Sequence, residues 1–213
     1  MKLTAIILAG LLAIAATPSN RAAVLPVPAT TALKTEQTAT QDQQPANSTP
    51  AVKPTARRAT VIFLRHAEAL PRTADNQNPH LNDLGKARAK LQAKTLKAAG
   101  ITRVFATELH RTQETAAPLA NSLGLKVEQY RARNSKMFAT TLRDLKDGEV
   151  VLVVGHSNTV PVMVKVLGGE LAGLDQKGYL PDTQHSRMIV QVLSSVKQDE
   201  AMHALQTLDL RIN

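Results

Sequence analysis

The sequence predicts an α/β fold, a three-layer α/β/α sandwich with a largely parallel central sheet. Three observations carry this. Strand-like and helix-like segments alternate from Thr60 onward, the order that places helices on both faces of a parallel sheet. The run VVLVV at 150–154 is apolar without a break, as in a strand covered on both faces. A hydrophobic content of 43% over 213 residues is enough for one ordinary core, and the chain is too short for two large domains. No internal repeat is visible.

The elements follow in order. Residues 60–64 (TVIFL) are a short β-rich run. Residues 81–100 read as a helix that Asn82 or Asp83 caps and Gly100 ends. Leu84, Ala87, Leu91 and Leu96 supply its apolar face, while Lys86, Arg88, Lys90, Lys94 and Lys97 sit mostly outside it. A second strand spans 102–106, and a helix over 109–123 ends at Gly124. A third strand covers 126–130, and a helix runs from Ser135 to Lys146, ending near Gly148. The VVLVV strand comes next, then a helix over 158–167 that closes at Gly168-Gly169. Residues 187–193 and 202–208 alternate like paired strands of a hairpin turning around 197–200.

Before this domain the chain has a different character. Lys2 followed by the almost wholly apolar 3–16, with Ala13-Ile14-Ala15 as small residues at cleavage spacing, reads as a signal peptide or signal anchor over 1–23. The apolar run is short of the 20 or so residues of a spanning helix. Either way the remainder is expected outside the cytoplasm, in a periplasmic or extracellular space. Residues 24–57 are rich in Ala, Thr, Gln and Pro and cannot bury enough surface to offset their ordering entropy; they read as a disordered linker. The folded domain is then 58–213.

A net charge of +9 and a pI near 10 favour anionic partners. Aromatic content of 2% argues against single-stranded nucleic acid, whose sites lean on base stacking. With no cysteine, disulfides, thiolate metal sites and cysteine nucleophiles are excluded.

Ligands of open α/β sheets bind beyond the carboxyl ends of the strands. His66 follows VIFLR and His156 follows VVLVVG, each just past a strand end. Arg111 falls in the first turn of the helix after the second strand. Three strand ends can thus deliver Arg65, His66, Arg111 and His156 to one pocket. Taken singly, each has a plainer reading: a hydrogen-bonded histidine, a tight turn, a solvated helix charge. Together they suit a phosphoryl group. Arginine's planar fork binds two phosphate oxygens, helix N-termini add N–H groups, and a neutral imidazole is a competent nucleophile near neutral pH.

These segments resemble the histidine phosphatase superfamily, the phosphoglycerate mutase-like fold. LRHAEA resembles that family's RHG signature, with Ala67 for the usual glycine. HLNDLGKARA resembles the segment opening its first helix. TELHRTQETA resembles its S-x-L-x-R-A-x-Q-T-A segment, with Thr107 for serine, and VVLVVGHSNTVP its second histidine motif. The resemblance covers about 60–167. It implies that His66 is the nucleophile of a phosphohistidine intermediate and that Arg65, Arg111 and His156 bind the phosphoryl oxygens. It implies no metal and no organic cofactor, and a small phosphorylated substrate.

Two departures matter. Larger members take a general acid from a Glu after the third strand, and EQYRARNSKMF has no acid between Tyr130 and Phe138. Another branch uses an Asp after the second histidine, where Ser157 and Asn158 stand. Glu108 is the remaining candidate acid, with a surface position on a helix start as its plainer reading. Its uncertain place points to leaving groups that need little protonation, such as an imidazole or an acyl phosphate. The short connection from Arg111 to His156 implies an open site, and a phosphatase rather than a mutase.

Two other classes stay open. The same pocket could hold an anion without turnover, and the lysine-rich helix could dock on anionic lipid or nucleic acid. No specific nucleic acid is expected, and a membrane only through an uncleaved N-terminus. The loops 70–80 and 169–186 carry no readable motif, and the sequence assigns no role to His80, Asp182 or His185 in or beside them.

Overall fold

The computed structural model describes residues 56–197 and 200–212. The export segment and nearly all of the linker lie outside the described residues. Strand β1 (Arg58–Arg65) is followed by α1 (Asp83–Leu96), β2 (Arg103–Thr107), α2 (His110–Leu123) and β3 (Val127–Tyr130). Then come α3 (Ser135–Thr141), β4 (Val150–Gly155), α4 (Thr159–Val166), β5 (Arg187–Ser194) and β6 (His203–Arg211). The sheet order is β3-β2-β4-β1-β5-β6. The first four of these strands pair in parallel; β5 pairs antiparallel with both β1 and β6. The sheet is mixed and mostly parallel, as expected.

Alternation along each strand builds two core layers, because successive side chains leave opposite faces of a sheet. Val61, Phe63, Val151 and Val153 pack with Ala139, Val160 and Met163 of α3 and α4. Ile62, Leu64, Leu152 and Val154 pack with Ala93, Leu96, Ala116 and Leu119 of α1 and α2. The uninterrupted VVLVV run is therefore explained by helices on both faces. The hairpin at the end is present as β5 and β6, with an irregular register between Val192 and Leu193.

Three local readings change. Leu96 is buried in α1, but Leu84 and Leu91 are 59% and 38% exposed. The buried face is Gly85, Ala89, Gln92, Ala93 and Leu96. The reason is a close approach: a Cβ on Gly85 would stand 1.9 Å from the Glu68 carbonyl oxygen. A helix held that near the chain must turn its small residues inward. The helix predicted over 135–146 is α3 followed by a 3-10 turn at Leu142–Asp144. Arg57, placed by composition at the end of the linker, is tied to the domain. Its Nη2 donates to the Glu200 carbonyl at 2.7 Å, and its own carbonyl accepts the Ser195 N–H at 3.1 Å. Among the described residues no helix is long and apolar enough to cross a membrane.

Candidate active site

The parallel pairing of β1 with β4, in register from Thr60↔Val150 to Arg65↔Gly155, ends both strands at one edge. The His66 N–H extends the ladder, donating to the Gly155 carbonyl at 2.9 Å. Gly155 has no room for a side chain: a Cβ there would meet Thr159 Oγ1 at 2.7 Å and the Tyr130 hydroxyl at 3.1 Å. Residues past these strand ends open into a cavity of about 750 Å3. Arg65, His66, Arg111 and His156 all line it. The structure thus brings together four of the five expected site residues.

His66 is held by the segment that follows it. The Ala67 N–H donates to Thr115 Oγ1 of α2 at 2.9 Å, and the Glu68 carbonyl accepts the Asn82 N–H at 3.0 Å. The Glu68 carboxylate pairs with Arg88 of α1 at 2.7 Å. The His66 Nδ1 lies 2.7 Å from the Ala67 carbonyl oxygen. A carbonyl only accepts, so Nδ1 carries the proton and Nε2 keeps the lone pair. Burial, with His156, Arg111 and Arg65 acting in the same direction and the Ala67 bond opposing, lowers the imidazole pKa to about 2. The ring is neutral and nucleophilic across physiological pH.

His156 begins the turn into α4, its N–H donating to Thr159 Oγ1 at 2.8 Å. Its Nε2 is 3.0 Å from Thr107 Oγ1, at the end of β2, and its ring lies 5.3 Å from that of His66. Thr107 therefore has a use for its hydroxyl. Burial lowers the His156 pKa to about 3, and Arg111, Arg72 and Arg65 act in the same direction. Its Nδ1 is buried with no hydrogen-bond partner. A proton on Nδ1 makes Nε2 the acceptor of the Thr107 hydroxyl, which in turn lies 2.7 Å from Thr112 Oγ1.

The arginines repeat this pattern of withheld pairing. Arg111 is 4% exposed, yet its Nη1 has no partner. Burial, with Arg72 and Arg65 acting in the same direction, lowers its pKa to about 10. Arg65 donates to the Pro181 carbonyl at 3.0 Å and to Asp182 Oδ1 at 2.7 Å, while its Nε is buried without a partner. Among the described residues, three buried nitrogens without a hydrogen-bond partner, Arg65 Nε, Arg111 Nη1 and His156 Nδ1, thus belong to residues lining one cavity with His66. Arg65, Arg72, Arg111 and Arg133 line this cavity with a single, exposed carboxylate among the described residues, Asp182, and that surplus of positive charge makes a place for an anion.

Glu108 is placed otherwise. Its Oε2 accepts the Ala132 N–H at 2.8 Å, capping the short 3-10 turn Ala132–Asn134, and it does not line the cavity. Among the described residues lining the cavity, Asp182 is the sole carboxylate; its side chain is 92% exposed and paired with Arg65. Arg72, Arg133 and His185 also line the cavity, and no motif announced them. Arg72 and His185 come from the two loops the sequence left unread. His80 lies outside the lining, pairing with Glu114 and stacking on His110 at 4.3 Å. Among the described residues no group of three metal-ligating side chains converges.

Residues 61–132 match a family model described as the histidine phosphatase superfamily, branch 1. This stretch holds Arg65, His66 and Arg111 and ends before His156. No curated protein matches the sequence. Among solved structures, SixA from Agrobacterium tumefaciens, a proposed phosphohistidine phosphatase, superposes with a TM-score of 0.51 at 19% identity, over 70% of this chain and 97% of that one. A mycobacterial glucosyl-3-phosphoglycerate phosphatase gives a TM-score of 0.51 at 15% identity, over 75% and 99%. At such identities the likeness speaks for the fold.

Proposed function

We propose that this chain, whose residues 61–132 match the histidine phosphatase superfamily, hydrolyses small phosphate monoesters through a phosphohistidine on His66, without a metal ion. One observation carries the reading: the buried guanidiniums of Arg65 and Arg111 share a cavity with an imidazole whose Nδ1–H faces the Ala67 carbonyl and leaves the Nε2 lone pair free. In the first step Nε2 attacks phosphorus, the P–N bond forms, and the bond to the leaving oxygen breaks. That oxygen departs with the electron pair. Arg65, Arg111 and His156 Nδ1–H hold the three peripheral oxygens as charge shifts among them. In the second step water attacks phosphorus, the P–N bond breaks, and inorganic phosphate leaves.

The acid is the informative part. Glu108 is committed to the Ala132 N–H, and Asp182 stands exposed beside Arg65. The preferred esters are therefore those whose leaving group departs with little protonation, such as aryl phosphates. The rim arginines Arg72 and Arg133 draw anions in. The apolar start of the chain supports an exported enzyme, to be checked by fractionating cells and sequencing the mature N-terminus.

The test is hydrolysis of p-nitrophenyl phosphate by the full chain and by His66→Ala, with chelator present. Loss of activity on the order of 10^3 or more is expected for the variant. Glycerol phosphate should be the poorer substrate of the parent. A variant that binds inorganic phosphate as the parent does, with neither turning over any ester, would leave an anion-binding module instead.

A further inference from the structure

Of the three imidazoles lining the cavity, His185 is the one the two steps above leave unused. It lies between α4 and β5, 119 residues along the chain from His66. The two rings are 5.8 Å apart, close to the 5.3 Å between His66 and His156. His185 Nδ1 lies 2.8 Å from the His66 carbonyl oxygen. A carbonyl only accepts, so Nδ1 carries the proton and Nε2 the lone pair. Among the described residues Nε2 has no partner, while the ring borders the cavity.

The chemistry has a matching gap. Water must lose a proton as it attacks phosphohistidine, and among the described residues no carboxylate free of other bonds lines the cavity. We propose that His185 is the general base of dephosphorylation. This rests on reading His66 as the nucleophile. As the water oxygen bonds to phosphorus, Nε2 of His185 takes a water proton. The P–N bond breaks, its electron pair returns to His66 Nε2, and the proton passes on to solvent as phosphate leaves. Positioned bases of this kind contribute about 10^2 to 10^4 in rate.

The groups facing His185 are Arg65 of β1, the His66 carbonyl, Glu68 of the following loop and Arg88 of α1; Gln92 of α1 reaches its backbone carbonyl at 3.4 Å. Burial lowers its pKa, and Arg65 and Arg88 act the same way, while the His66 bond and Glu68 oppose them. The ring is therefore neutral near pH 7, the form that accepts a proton.

The experiment is rapid-quench kinetics of p-nitrophenyl phosphate with the parent, His185→Asn and His185→Gln. Asparagine keeps an N–H near the place of Nδ1 and removes Nε2, so His66 stays oriented. In His185→Asn we expect a burst of about one nitrophenolate per chain at the parent's rate. Steady turnover should then be roughly a hundredfold slower, with acid-labile phosphate accumulating on His66. The acid limb of the parent's steady rate, set by protonation of His185, should be absent, and added imidazole should restore part of the turnover. Equal slowing of burst and steady state would overturn the proposal, showing a positioning residue acting through the His66 carbonyl. Unchanged kinetics in both variants would also overturn it. Turnover in His185→Asn without any labelling of His66, together with full activity in His66→Ala, would refute the nucleophile reading, a separate failure.

Discussion

Arg187 and Arg111 are both buried, 1% and 4% exposed, and the fold treats them in opposite ways. At the base of the β5–β6 hairpin, the Arg187 Nε and Nη2 donate to the Asp209 carboxylate, at 2.6–3.1 Å. Nη1 donates to Gln184 Oε1 at 3.0 Å, and Nη2 also to the Ala172 carbonyl at 2.6 Å. In the cavity, Arg111 has neither a carboxylate nor a partner for Nη1, and it stands near two other guanidiniums, Arg72 and Arg65. One arginine is neutralised by its own fold. The other is left for something that arrives. A buried charge without a partner costs stability, and it persists where a ligand supplies the missing charge.

The comparison breaks most sharply at Arg111. Arg111→Ala should lower kcat/KM by about 10^2 to 10^3 while leaving the melting temperature equal or higher. Inorganic phosphate, which should raise the parent's melting temperature, should do so much less here. A variant that melts well below the parent would show Arg111 to be structural after all.

Arg187→Ala should do the reverse. Asp209 is 34% exposed and keeps its bond to Arg211 at 2.8 Å, so losing the guanidinium should cost about 2 kcal/mol, visible as a lower denaturant midpoint. Below that midpoint kcat/KM should match the parent within about twofold. Loss of activity in fully folded protein would contradict the division.

The imidazoles sharpen it through pH. His66 and His156 stay neutral when folded, with values near 2 and 3, but take up protons near 6.5 when unfolded. Their contribution to stability is therefore complete above pH 6.5 and is lost progressively as pH falls toward the folded values. The slope approaches about 2.7 kcal/mol per pH unit for two groups. Denaturant midpoints from pH 7 to 5 should fall accordingly, and the slope should halve in His66→Asn. An unchanged slope would mean that His66 is charged in the folded site.

The smallest effect lies at the rim. Raising ionic strength should lower kcat/KM by about tenfold or less, and Arg72→Ala with Arg133→Ala should flatten that dependence. A salt response that survives both substitutions would move the steering to the lysines of α1.

What could be read in advance was local. Arg65-His66 and His156 follow strands whose apolar runs mark their own ends, and Arg111 sits one turn into a helix whose spacing is plain. The central place of the 150–154 strand followed from its unbroken apolar run. Pattern alone turns α1 the wrong way because its leucines outweigh its small residues, whereas the Glu68 carbonyl decides which side can approach. Glu108 looked available because nothing nearby in sequence needs a carboxylate; its partner, the Ala132 N–H, lies 24 residues on.

The sequence by itself determined the layers, the strand ends and the four groups that converge there, because alternation, helix spacing and a residue's place after a strand are properties of neighbouring residues. Only the tertiary structure decided that His185 rests against the His66 carbonyl, that Arg72 and Arg133 reach the rim, and that three donors remain unpaired. Those facts depend on distances between loops far apart along the chain, and on which polar atoms the completed packing leaves without a partner.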